Sequence, residues 1–304
     1  MADSPTLQPD PSVVDGVKKA PFAYLPDPTV VFARRAARWR SQPPSHQLGP
    51  YLAFLAAIAD AQVALASGAP EPAPLAPETL VRARQAAMPP LDTDALAPDD
   101  TSRATCRRLF AALADQPKPE AAEAALARAG GANEHRLDAM IAAVLTNTVP
   151  ADQVAEHIYV AAALQVHFTR LASKLDAEAL KPVAIGVCPA CGAPPGVSLI
   201  AGWHGAETAR YAACSLCSTL WNEVRVKCLA CGSTKGVGYQ EIEGQGGTIK
   251  AETCDECGHY LKVLYQDRDA ALDPVADDVA SLGLDQLLRG DYRRAGANPF
   301  LAGY

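Results

Sequence analysis

Eight of the nine cysteines fall between Cys188 and Cys257, and all eight occur as C-x-x-C pairs: Cys188 with Cys191, Cys214 with Cys217, Cys228 with Cys231, and Cys254 with Cys257. A C-x-x-C turn points two thiolates at one ion while the following backbone amides can hydrogen-bond the sulfurs. Gly192, Gly232 and Gly258 permit the tight backbone after three of these turns. Two such turns held by a hairpin place four sulfurs in a tetrahedron. That donor set suits zinc or a mononuclear iron and does not choose between them. The pairs also form two matched sets, because each cysteine of the second lies 40 positions after its counterpart in the first. The same offset relates Ala190 to Ala230, Gly192 to Gly232, Gly196 to Gly236, Val197 to Val237 and Thr208 to Thr248. This is an internal duplication of one supersecondary unit. It predicts two independent mononuclear sites, iron or zinc, one on Cys188, Cys191, Cys214 and Cys217 and the other on Cys228, Cys231, Cys254 and Cys257.

Other chemistry fits less well. Sites of four cysteines are closed to substrate, so their ordinary role is to hold small modules together. A thioredoxin-like dithiol needs one C-x-x-C pair, not four in two sets. Haem attachment would need a histidine directly after Cys257, where Gly258 stands. Cys106 sits in a helical pattern beside Leu109 and Phe110 and reads as a buried small hydrophobe. His157 and His167 share a helix, but ten residues of rise separate them by about 15 Å along its axis. Asp277 and Asp278 read as helix-terminal or solvated acids. With no Gly-rich phosphate loop and no G-x-S-x-G, the chain is expected to have no catalytic residue and not to be an enzyme.

The elements around the cysteines divide by texture. From Asp27 to about Asp176 helical patterns alternate with Pro and Gly breaks. Asp27-Pro28 reads as a cap followed by proline at the first helical position of an Arg-rich helix. Pro50 opens a helix whose one charge before Pro70 is Asp60, so it should be buried on most sides. Three more helices follow, at about 77–87, 102–115 and 120–129. Asn133 caps a sixth, and Pro150 precedes a long one with Val154, Ile158, Ala161, Leu164, Phe168, Leu171 and Leu175 at steps of three and four. One face of that helix should close the bundle. After Lys181 short Val-, Ile- and Tyr-containing runs with Gly and Cys read as small ribbons, and helical texture returns at Pro274. The prediction is an α+β multidomain chain: a flexible N-terminal tail over 1–26, an all-α helical bundle over 27–181, two tandem rubredoxin-like or zinc-ribbon four-cysteine modules over 182–226 and 227–268, and a C-terminal helix and tail over 269–304. The helical part is expected to have its own core, the ribbons to depend on their ions.

Composition narrows the partners. The 304 residues carry a net charge of -7, and 49% of them are hydrophobic. Between Cys188 and Tyr265 six Lys and Arg face seven Asp and Glu, and a divalent ion with four thiolates adds two further negative charges. An acidic module of this kind opposes phosphate tracking, so nucleic acid is not an expected partner. The N-terminal residues lack a secretory pattern. The longest apolar run, Tyr51 to Ala59, is far below the ~20 residues of a membrane span. No stable membrane insertion is expected, and a cytoplasmic location is.

Over most of its length the chain resembles the FdhE family, accessory proteins of respiratory formate dehydrogenases. The matching stretches are CPACGAPP from Cys188, RYAACSLCSTLWNEVRVKCLACG from Arg210, KAETCDECGHYLKVLYQ from Lys250, VADDVASLGLD from Val275 and the terminal NPF. FARRAARW from Phe32, YLAFLAAIADAQ from Tyr51 and AAALQVHF from Ala161 also fit. Ser218 and Leu220 stand where the family often has acids. The resemblance implies a cytoplasmic maturation factor that contacts the catalytic subunit of formate dehydrogenase, carries rubredoxin-like iron or zinc on the two cysteine sets, and performs no turnover. Two other readings compete: a rubredoxin-like electron-transfer protein, and a zinc-ribbon nucleic-acid-binding protein, the latter opposed by the acidic ribbons.

Overall fold

The computed structural model describes residues 20–302 except 69–71, 73, 74 and 245. Most of the expected N-terminal tail, 1–19, lies outside the described residues. The remainder of that tail is ordered: Ala23–Tyr24 forms strand β1. Seven helices follow: α1 Pro28–Arg40, α2 Gly49–Gly68, α3 Pro77–Ala86, α4 Asp100–Ala114, α5 Glu120–Gly130, α6 Glu134–Leu145 and α7 Val154–Ala172. Their starts follow from local chemistry. The Asp27 carboxylate accepts from the Thr29 amide with Pro28 in the first turn, and Asn133 accepts from the Arg136 amide. Asp99 and Ser102 close a reciprocal capping box on α4.

Helix α7 is the axis of the bundle. One buried face was expected, but nearly every residue from Glu156 to Thr169 is buried, because α4, α5, α6 and α2 all pack against it. Helix α2 is long and apolar enough, by length and composition, to cross a membrane. Here it lies in the bundle, with Leu52, Leu55, Ile58, Ala59 and Gln62 buried.

The ribbons are strands β2 Pro195–Ile200, β3 Arg210–Cys214 and β4 Leu220–Glu223, then β5 Val237–Gln240, β6 Ile249–Cys254 and β7 His259–Tyr265. Each trio is an antiparallel meander, as a duplication requires. Parallel pairing of β2 with β7 (Ser198 opposite Val263, Leu199 opposite Leu264) fuses them into one sheet of order β1-β4-β3-β2-β7-β6-β5. A short strand β8, Arg293–Arg294, pairs with the start of β7.

The expected C-terminal helix is instead two short ones, α8 Ala276–Ala280 and α9 Leu282–Leu288, which cover the sheet. On the inner side of α8 Asp278 is fully buried and meets Lys262, Arg294 and Asn298. Asp277 is buried against the Arg38 guanidinium, with both oxygens 2.9 Å from Arg38 Nε. These acids are therefore not solvated. They join β7 and helix α1 to the C-terminal segment, and such burial is tolerable because each carboxylate has a cation.

The largest buried cluster is also shared. It runs from Phe32, Leu55 and Leu164 in the helices to Cys188, Cys191, Cys214, Cys217, Trp221 and Leu261 in the sheet. The helices thus share their core with the sheet, which adds smaller clusters of its own, such as Val197, Leu199 and Leu264.

Candidate metal centres

In the first centre the Cys188 and Cys217 sulfurs are 3.6 Å apart and the Cys191 and Cys214 sulfurs 3.5 Å. In the second, Cys228 to Cys257 is 3.7 Å and Cys231 to Cys254 is 3.8 Å. All four sulfurs of each group lie within 4.8 Å of one another. A tetrahedron with metal–sulfur bonds of about 2.3 Å has edges of about 3.8 Å. Both groups therefore fit one ion each. The gaps are far from the ~2.05 Å of a disulfide.

Each centre is made by two knuckles facing each other across a meander. A tight turn closes each knuckle: Gly192 N donates to Cys188 O, Ser218 N to Cys214 O, Gly232 N to Cys228 O and Gly258 N to Cys254 O. The residue after each second cysteine takes the left-handed conformation, at φ +84° for Gly192, +60° for Ser218, +80° for Gly232 and +66° for Gly258. Three positions carry the glycine this conformation favours, and Ser218 adopts it without one. Amides of Cys217 and Ala230 lie 3.4 Å from the Cys214 and Cys228 sulfurs, and Thr219 Oγ1 is 3.2 Å from the Cys217 sulfur. Such donors lower the cost of thiolate charge at the ligand.

Burial pushes the Cys188 and Cys191 thiols well above their ordinary value, and burial pushes Cys257 up to about 12. The Ser233 amide holds Cys231 below the ordinary value. Four thiolates in a dry pocket repel one another, so a cation is what makes their joint deprotonation affordable.

The surroundings of the two centres differ. All four residues of the first are buried; in the second Cys231 is exposed and Cys257 half-buried. The first is also fastened to the helices. Leu91 N and Thr93 N donate to the carbonyls of Ala190 and Cys191, and Gln165 Nε2 of α7 donates to Ser215 O at 2.7 Å, inside the Cys214–Cys217 turn. Gln165 Oε1 in turn accepts from Gln62 and Arg35, so a polar chain runs from the bundle core to the metal turn. Sequence reasoning missed Gln165; its signal was an amide side chain in the otherwise apolar run AAALQV. It also missed Arg210, whose fully buried guanidinium pairs with Glu252 at 2.8 Å and links β3 of one ribbon to β6 of the other.

Other residues singled out in the sequence stay apart from the sulfur groups. Cys106 is buried, and burial pushes its thiol up to about 12, as suits an inert core residue. His157 Nδ1 is engaged with Gln153 O, and His167 is pulled down by burial. Neither belongs to a potential metal-holding group among the described residues. A cavity of about 550 Å³ opens between α1, the first ribbon and residues 266–275; Leu199, Trp203 and Leu220 line it, and Cys214 forms part of its wall.

Comparison with known proteins agrees with this arrangement. Residues 20–185 match the N-terminal domain of FdhE, 187–225 its central domain and 226–301 its C-terminal domain. A protein FdhE homolog of Rhizobium meliloti is 49% identical over the full length of both chains, and one from Cronobacter sakazakii is 36% identical over 89% of this chain and 88% of its own. The crystal structure of the FdhE protein from Pseudomonas aeruginosa superposes with a TM-score of 0.84 at 34% identity, covering 93% of this chain and 99% of that one. A helical bundle followed by paired knuckles in one fused sheet, together with these matches, means that the chain belongs to the FdhE family.

Proposed function

We propose that this protein is an accessory factor for the maturation of respiratory formate dehydrogenase, acting in the cytoplasm on the catalytic subunit and performing no turnover of its own. The observation that carries the reading is the pair of four-sulfur groups built into one sheet, in a chain of the FdhE family. In this reading Cys188, Cys191, Cys214 and Cys217 hold one ion, and Cys228, Cys231, Cys254 and Cys257 the other, iron or zinc. A bound ion supplies a four-way cross-link and, if it is iron, a one-electron change. The protein's own residues do the rest: knuckle amides stabilise the thiolates, Gln165 and the Leu91 and Thr93 amides hold the first centre against the helices, and the sheet presents a fixed surface. Protein binding is the function such a surface supports, because a four-cysteine shell leaves no open position for substrate.

The test is deletion of the gene combined with anaerobic affinity purification of the tagged protein and metal analysis. Expected are loss of active respiratory formate dehydrogenase with its catalytic polypeptide still made, about two equivalents of metal, and recovery of that polypeptide with the tagged protein. Normal formate dehydrogenase activity in the deletion strain, or no interaction with the catalytic subunit, refutes the reading.

A further inference from the structure

The two centres have the same donor set and the same knuckle geometry, so any difference in their behaviour must come from what surrounds them. Around the first, the surroundings bury all four ligands. Its four cysteines are buried and belong to the main core cluster. Displacing a ligand there means separating the 188–191 turn from the Leu91 and Thr93 amides and the 214–217 turn from Gln165. Cys214 does form part of the wall of the 550 Å³ cavity, but its residue exposes only 2% of its surface.

The second centre has none of its cysteines in that cluster. Its turn at Cys231 faces solvent, with Ala230 and Cys231 exposed and Gly232 and Cys257 half-buried. The strand that follows, β5, is the last in the sheet and is flanked only by β6. Outside its own ribbon, the 254–257 turn is tied only to the C-terminal segment among the described residues: Arg293 N donates to Gly258 O, and Oη of half-buried Tyr292 donates to exposed Asp255.

Resting on the metal reading above, we infer that the centres are functionally unequal: the Cys188–Cys217 centre is a fixed structural element, and the Cys228–Cys257 centre is an exchange-competent site where an incoming soft donor, a thiol, reaches the ion by way of Cys231. In that exchange a bond forms between the ion and the incoming sulfur and the bond to Cys231 breaks. The proton of the incoming thiol passes to the departing Cys231 sulfur, so neither net charge nor oxidation state changes. Exposure controls the rate because substitution at a closed four-coordinate ion needs the entering group to approach it, and a centre inside the core offers that approach only through a costly local opening.

The experiment uses the full-length protein loaded with two equivalents of zinc. Release is followed with the chromophoric chelator 4-(2-pyridylazo)resorcinol in excess, with and without glutathione as the entering thiol. One equivalent should leave at least about tenfold faster than the other, with a rate that rises with glutathione, and mass spectrometry of timed iodoacetamide alkylation should find Cys231 and Cys257 modified first. Cys231→Ser should remove the fast equivalent and keep the slow one. The wild-type trace and the alkylation order stand without that variant, should it fold poorly. Two equivalents leaving at one rate, or first alkylation at Cys214 or Cys217 through the adjoining cavity, overturns the inference while leaving the metal reading intact. Failure to bind two equivalents overturns both.

Discussion

Glu252→Gln isolates the charge of the contact that couples the two ribbons. The Arg210 and Glu252 side chains are 0% and 3% exposed and meet at 2.8 Å. Glu252 also accepts from Tyr239 Oη at 2.9 Å, and Arg210 Nη1 donates to the Lys227 carbonyl at 2.9 Å, just before Cys228. The amide keeps the shape and an acceptor oxygen but leaves the guanidinium charge buried without a counter-ion. Breaking a buried pair from one side costs about 3–5 kcal/mol, and the retained acceptor puts the expected loss at the lower end, about 3 kcal/mol. For a chain of 304 residues that corresponds to a fall in Tm of about 5 °C, at an unfolding entropy of about 2.1 cal/mol/K per residue. The assay is thermal and urea unfolding at saturating zinc, so that metal loss does not enter. Arg210→Met with Glu252→Leu should be more stable than the sum of the single losses, since no charge is left unpaired. A single-variant loss under about 1 kcal/mol, or strict additivity in the double variant, would refute the claim that this ion pair joins the ribbons.

Gln165→Leu should destabilise by about 1–3 kcal/mol in urea unfolding, because Ser215 O, Arg35 and Gln62 all lose a buried partner; a neutral variant would show that the bundle does not hold the first centre through this residue. Burial pushes the Asp277 carboxyl up to about 6 against the pull of Arg38. A raised folded value means stability present below the ordinary carboxyl range and lost as pH rises through about 6. Asp277→Asn should therefore gain on wild type as pH rises from 4 to 6, relative to their difference at pH 4, and parallel stability curves would contradict this. Removing metal should lower the melting temperature followed by far-UV helix signal as well as by ribbon fluorescence, because the cluster that holds the first centre's cysteines is also the core of the helices, and structural zinc is worth about 10–16 kcal/mol in small modules. Helix melting unchanged after complete chelation would show that the halves are independent.

The eight cysteines, their two sets and the ribbon texture around each were legible in the sequence, because C-x-x-C spacing and a 40-residue repeat are local facts about a short stretch of chain. So were most helix starts, where Asp27 and Asn133 act on amides two or three residues away. What the chain could not announce were relations between distant segments. Parallel pairing of β2 with β7 depends on residues 65 apart (Ser198 with Val263), and the tail at Ala23–Tyr24 becomes a strand only because β4 offers it an edge. Asp277 and Asp278 read as helix-terminal or solvated acids; they do stand in the first turn of a helix, but Arg38, Lys262 and Arg294 arrive from elsewhere in the chain to bury and neutralise them. The same holds for the centres: identical local motifs yield identical sulfur geometry, but burial is a property of what packs on top. Tertiary structure alone sets one centre inside the shared core and leaves the Cys231 turn of the other facing water.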